Sequence, residues 1–368
     1  MTTAATAADE RVAHVGLMRR LLIRPELGAV VGAIAVFTFF ASLSPVFRSV
    51  DGIANWLDPA STLGIMAVAI ALLMIGGEFD LSAGVMTGTT GLTLALLTSQ
   101  YGFDVWTAMG VGLLLALAIG FFNGIMVVRT KLPSFIVTLG TMLMLMGINL
   151  GVTKLMTGSV QVGGISLASG YDTARSMFAA TIPMFGVQFR VAIFWWLGLT
   201  ALATWILLRT RAGNWIFAVG GSAAAARSVG VPVARTKIAL FMTTAFAAWL
   251  VGSILGLRLT SVQANTGINQ EFIYIIAAVI GGCLLTGGYG SAIGAAIGAV
   301  IFGMADKGIV FAGWDSDWFT FFLGVMLVLA TLTNHLVRRF AEEKRDMTRS
   351  SRWRVRFSRG ASAEDSDD

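Results

Sequence analysis

Apolar residues fall along this 368-residue chain in long runs. Many approach the roughly 20 positions that a helix needs to cross about 30 Å of hydrocarbon. Ten runs can be read, at about 27–47, 60–76, 81–99, 105–128, 134–153, 190–208, 236–257, 270–286, 291–311 and 317–337, the second, third and eighth being short. Proline and charged residues gather between them rather than within them. The pattern predicts an all-α membrane protein, a polytopic bundle of about ten transmembrane helices.

Charge sharpens that picture. Only 12% of residues are charged, about half the share of an ordinary soluble domain. So few charges could not cover a water-soluble surface of this size, which excludes a soluble enzyme, a secreted disulfide scaffold and a disordered chain. Cys283 is the single cysteine, so no intramolecular disulfide or cysteine metal cluster can form. Placing the N-terminus in the cytoplasm and alternating the runs puts 20 of the 26 Lys and Arg residues inside, as the positive-inside rule requires. Both termini are then cytoplasmic, and the net charge of +6 reflects topology rather than a nucleic-acid partner. The chain divides into an N-terminal tail, 1–26, a membrane body, 27–340, and a charged C-terminal tail, 341–368. In that last tail arginines alternate with Trp353, Val355 and Phe357, a pattern suited to anionic lipid headgroups. On the outer side, 154–189 is the longest stretch between spans, and Trp314 and Trp318 beside Asp315 and Asp317 mark an interfacial rim.

Three segments carry polar chemistry. The first reads Ile75-Gly76-Gly77-Glu78-Phe79-Asp80-Leu81-Ser82. Gly76 and Gly77 can end one helix, and Asp80 or Ser82 can cap the next. Glu78 and Asp80 are then either solvated in a cytoplasmic turn or held in a helix break within the membrane, where transporter sites form. Ile280-Gly281-Gly282 repeats the start of this motif. The second set, Asn123, Ser134, Thr138, Thr141 and Asn149, sits on apolar runs and suits either helix–helix hydrogen bonds or substrate contact. Pro133 opens the fifth run where proline fits a first helical turn. The third segment, 214–237, contains an alanine-rich stretch that Ser222 can cap and that Gly230 and Pro232 can end. It is a short helix outside the membrane, either docking a partner or resting on the headgroups. Gly84/Gly88 and Gly290/Gly294/Gly298 follow the small-xxx-small spacing of close helix packing.

Catalytic constellations are missing from the sequence. His14 and His335 are the two histidines, so no histidine triad or metal site can be built in the body. None of the five lysines follows a glycine, so no Gly-Lys-[Ser/Thr] phosphate loop exists. Gly288-Tyr289-Gly290 with Gly294 lacks the strand context of a dinucleotide fingerprint.

Four stretches together resemble the permease subunit of bacterial ABC sugar importers of the ribose/xylose/arabinose group. They are GGEFDLSAG at 76–84, NGIMVVRTKLPSFIVTLGT at 123–141, AVGGSAAAARSVGVPVARTK at 218–237 and GGCLLTGGYGSAIGAAIGAVIFG at 281–303. The resemblance implies a ten-span inner-membrane core working as a homodimer or pseudo-dimer of permeases. It also implies two cytoplasmic ATP-binding subunits, which hydrolyse the ATP, and a periplasmic sugar-binding protein; this chain would be no enzyme and need no cofactor. By the same resemblance, 214–237 is the coupling segment that fits a groove on the ATPase, through Gly220, Gly221, Ala224, Arg227 and Gly230. Family members commonly carry Glu where this chain has Ala223. The cargo would be a monosaccharide or related polyol, passing polar side chains among which Glu78, Asp80, Ser82, Asn123, Thr138 and Thr141 are the candidates. The residues alone leave a second reading, an ion-coupled secondary transporter with Glu78 or Asp80 as its cation or proton site.

Overall fold

Helix dominates the computed structural model, which describes residues 26–329 and 332. The N-terminal tail before Glu26, the end of the tenth run and the C-terminal tail with Trp353, Val355 and Phe357 lie outside the described residues. A helix satisfies its backbone groups within one segment, as an apolar surrounding demands. In chain order the elements begin with α1 (Glu26–Leu43), α2 (Val50–Ile75), α3 (Ala83–Tyr101), α4 (Val105–Thr130) and α5 (Ser134–Thr157). A loop region follows with β1 (Gln161–Gly163), α6 (Tyr171–Phe178), β2 (Thr181–Met184) and β3 (Val187–Arg190). Then come α7 (Ala192–Arg209), α8 (Arg211–Gly221), α9 (Ala223–Ser228), α10 (Val233–Leu259), β4 (Ser261–Gln263), α11 (Gln270–Ile280), α12 (Ala292–Phe311) and α13 (Trp318–Leu329).

Seven of the described helices, α1, α2, α4, α5, α7, α10 and α12, are long and apolar enough to cross a membrane. Each of the ten expected runs holds a helix, but the other three fall outside that group. The α3 helix is threonine- and glycine-rich, and α11 and α13 are shorter. Two expected boundaries need correction. The second run is not short: α2 starts at Val50, because Ser49 accepts the Gly52 amide at 3.0 Å and carries the helix past Asp51, Asp58 and Pro59. The eighth run ends at Ile280 rather than near 286, because Gly281 and Gly282 turn the chain.

Helix α2 is the axis of the bundle, buried almost continuously from Ala60 to Ile75 and packed by α7, α10, α11 and α12. Helix α10 bridges α2 to α3 and α4. The outer faces of α4 and α5 expose Leu114, Phe121, Phe122, Phe135, Ile136 and Leu143, a surface for hydrocarbon rather than water.

The two ends of the bundle differ. One carries two small antiparallel sheets, β1 with β4 and the hairpin β2–β3. There the Asp58 carboxylate accepts the Arg258 guanidinium at 2.7 Å and lies 3.6 Å from that of Arg190. Asp58 thereby ties α2 to α10 and to the hairpin. The other end carries α8 and α9. As the sequence predicts, Ser222 caps α9 by accepting the Ala225 amide at 3.3 Å, and Gly230 follows in the left-handed region, φ +83°.

Candidate functional site

The repeated Ile-Gly-Gly sequence folds the same way twice. At the end of α2, the amides of Gly76, Gly77 and Glu78 donate to the carbonyls of Leu72, Met74 and Leu73 at 3.1, 2.9 and 3.1 Å. At the end of α11, the amides of Gly281, Gly282 and Cys283 donate to those of Ala277, Val279 and Ala278 at 2.9, 2.9 and 3.0 Å. Gly77 and Gly282 take φ of +81° and +91°, a region that glycine enters without strain. After each turn the chain runs on without helix, for 76–82 in the first case and 281–291 in the second, and then re-enters helix as α3 or α12.

The first break is filled with side-chain hydrogen bonds. Glu78 and Asp80 are both buried, not solvated in a turn. Asp80 Oδ1 accepts the Ser82 amide at 2.9 Å and the Ser82 hydroxyl at 2.5 Å, while Oδ2 accepts the Thr244 hydroxyl of α10 at 3.0 Å. Asn123 of α4 donates to Ser82 Oγ at 3.0 Å and accepts the Thr141 hydroxyl of α5 at 2.6 Å. The break's own amides are met from α5: Phe79 N–H donates to Ser134 Oγ and Leu81 N–H to Thr138 Oγ1, both at 3.0 Å. Asp80, Ser82, Asn123, Ser134, Thr138 and Thr141 are all buried. Five of the six sequence candidates therefore form one network joining the first break to α4, α5 and α10. Glu78 stands apart from it and pairs with Lys237, near the start of α10.

Glycine rather than polar chemistry joins the second break to the first. Gly288 N–H donates to the Ile75 carbonyl at 2.9 Å, beneath the last turn of α2. A methyl group added to Gly287 would stand 2.7 Å from Gly77 Cα and 2.9 Å from the Gly220 carbonyl oxygen. One added to Gly220 would overlap the Ile75 carbonyl and lie 2.7 Å from the Gly288 amide. The last turn of α8 thus touches both breaks, backbone on backbone. The named residues of 214–237 divide accordingly. Gly220 and Gly221 meet the glycine loops, whereas Ala224, Arg227 and Gly230 are exposed at the end of the bundle. Ala226 anchors α9 by packing with Val219 and Val233.

Three further residues were not singled out by the sequence. Thr244 is one of many small residues on an apolar run, with no signal to mark it. Lys237 stands at the start of the seventh apolar run, where nothing in the sequence marks its partner. Glu271 falls at the start of the eighth apolar run, and it is a buried acid in the first turn of α11, with Oε2 unpartnered among the described residues. A lone acid opening an apolar run was the signal available. Among the described residues no group of histidine, cysteine and carboxylate side chains has the arrangement of a metal site.

Matches to known proteins cover most of the described bundle. Residues 52–331 match the family model described as branched-chain amino acid transport system / permease component. The ribose import permease protein of Escherichia coli (strain K12) is 31% identical over 316 residues, covering 84% of this chain and 94% of that protein. An inner membrane ABC transporter permease protein of the same strain is 31% identical over 286 residues, 77% of this chain and 84% of that one. The xylose transport system permease protein of that strain is 30% identical over 355 residues, with coverage of 83% and 90%. No solved structure matches. On the strength of the matched span and the relatives it brings, this chain belongs to the permease-component family of ABC transporters and is a multi-pass inner-membrane protein.

Proposed function

We propose that the chain is the membrane subunit of an ATP-driven importer that carries a neutral monosaccharide or related polyol. A separate ATPase subunit would dock on α9, a periplasmic binding protein would deliver cargo to the end bearing β1–β4, and two permeases would form the working unit. The observation that carries this reading is the contact of Gly220 with the Ile75 carbonyl and the Gly288 amide. Any displacement of the α8–α9 segment is passed to both helix breaks without an intervening flexible side chain. Glu78 and Lys237 reinforce it, since the ion pair ties the first break to the helix that follows α9.

The exposed Ala224, Arg227 and Gly230 supply the surface for the ATPase. Cationic residues on this side, Arg209, Arg211, Arg227, Arg235 and Lys237, favour a cytoplasmic placement. The relatives' names support sugar as the cargo class, and the relatives do not favour the ion-coupled alternative. In addition, Asp80 is spent on internal hydrogen bonds and Glu78 on Lys237. The test is uptake of radiolabelled ribose and xylose by vesicles holding the permease with its ATPase and binding protein. Uptake is expected to require ATP and to survive a proton uncoupler. Uptake that persists without the ATPase and collapses with the uncoupler overturns the proposal. Arg227→Glu is expected to weaken co-purification with the ATPase at least tenfold while leaving membrane insertion intact.

A further inference from the structure

A cavity of about 380 Å³ opens between α2, α3, α10, α11, α12 and α13, at the low end of the ~300–1,000 Å³ usual for small-molecule sites. It is only half enclosed but reaches to the middle of the bundle: Thr62 on its wall is halfway along α2, and Phe302 is halfway along α12. None of the Asp80 network residues lines it. The chemistry of its wall is also different. In the Asp80 network each carboxylate, amide and hydroxyl has a partner within the protein. In the cavity, the Thr266 hydroxyl and the Gln270 amide make no side-chain hydrogen bond among the described residues, and both are partly accessible. Phe302 and Phe319, packed edge to face at 4.8 Å between ring centroids, add aromatic surface.

Among the described residues the wall carries one charged side chain. Asp306 reaches the cavity, and Lys307 neutralises it at 3.0 Å. A hydroxyl can donate and accept, and a primary amide offers donors and an acceptor together. That combination matches a ligand carrying many hydroxyl groups. A hydrocarbon chain would leave both groups without partners.

We propose that this cavity is a binding site within a single chain for a neutral polyhydroxylated ligand of monosaccharide size. The Thr266 hydroxyl and Gln270 amide bond its hydroxyl groups, and Phe302 and Phe319 cover a ring face. The proposal rests on the importer reading for its cargo class. It differs in placing the cargo between helices of one chain rather than at the Asp80 network.

Two measurements test it on the full chain. Cys283 is the single native cysteine and is buried, so Gln270→Cys introduces one accessible thiol for a small maleimide. Saturating ribose, xylose or mannitol is expected to slow labelling at least fivefold, while leucine and gluconate leave it unchanged. Equal labelling with and without each of the three polyols overturns the proposal, as does protection by leucine or gluconate. In vesicles holding the complete importer, Thr266→Val and Gln270→Leu are expected to lower ribose or xylose uptake about tenfold. Leu114→Ala, on the exposed face of α4, is the control. Wild-type uptake by both cavity variants overturns the proposal. Failure of the importer reading registers elsewhere, as wild-type uptake that does not depend on ATP, and leaves the labelling result to stand or fall alone.

Discussion

The helix breaks after α2 and α11 share a hydrogen-bonding pattern down to the order of donors and acceptors, yet they are held in place by opposite means. The first is surrounded by side chains that satisfy its polar groups: Asp80, Ser82, Asn123, Ser134, Thr138, Thr141 and Thr244. The second is held by the absence of side chains, with Gly281 against Gly294 and Gly287 against Gly77 and Gly220. A polar lock fixes geometry through directional bonds and leaves its neighbours at ordinary distances. A glycine lock fixes geometry through close approach, and it leaves no side chain to absorb a displacement. The last turn of α8 meets both locks, Gly220 lying against the Ile75 carbonyl that leads into the first break and against Gly288 of the second.

The largest expected effect comes from spoiling the glycine lock. In Gly294→Val the new side chain would stand inside contact distance of the Gly281 carbonyl. Overpacking of this kind costs about 3 kcal/mol, at the upper end of the usual range. Size-exclusion profile and thermal midpoint in detergent are the readouts, and a wild-type midpoint would show that α11 and α12 are not held by close approach. Next comes Asp80→Ala, which strips the Ser82 and Thr244 hydroxyls and the Ser82 amide of their acceptor. With buried donors left unmatched, a loss of about 2–3 kcal/mol is expected. Asp80→Asn, which keeps an acceptor, should lose less. Equal effects of the two substitutions would break the argument that hydrogen bonding holds the first break. The smallest effect is that of the Glu78–Lys237 pair. Lys237 is 20% exposed, so solvent screening reduces the coupling to roughly 1 kcal/mol. A double-mutant cycle with Glu78→Gln and Lys237→Gln isolates it, and zero coupling would remove the pair from the link between the first break and α10.

The same contrast explains what was legible in the sequence. Polar residues stranded in apolar runs are conspicuous, which is why Asp80, Ser82, Asn123, Thr138 and Thr141 could be picked out before their contacts were known. Their spacing could not tell whether they face cargo or one another, because that depends on how α3, α4, α5 and α10 are rotated. Local signals also carried through where the physics is local. Ser222 and Gly230 bound the α9 region as capping chemistry requires, and the repeated Ile-Gly-Gly marked two equivalent turns. Long-range features were hidden. The outer turns of α2 were lost because Asp51, Asp58 and Pro59 interrupt the apolar run. The Glu78–Lys237 pair and the cavity join positions far apart in the chain. Glu271 was overlooked because an acid at the start of a run looks like a boundary.

Helix α2 has one further property. Its first nine residues, Val50 to Asp58, mix exposed, half-buried and buried positions and are fastened by Asp58 to Arg190 and Arg258. From Ala60 to Ile75 it is enclosed almost without interruption. Pro59 stands between the two parts and offers no N–H to the Asn55 carbonyl one turn earlier. Helix α2 is thus fastened to the hairpin loops at one end and enclosed by the bundle at the other, and the rung missing from its hydrogen-bond ladder falls at the junction. A bend of α2 there would cost less than one elsewhere along its length.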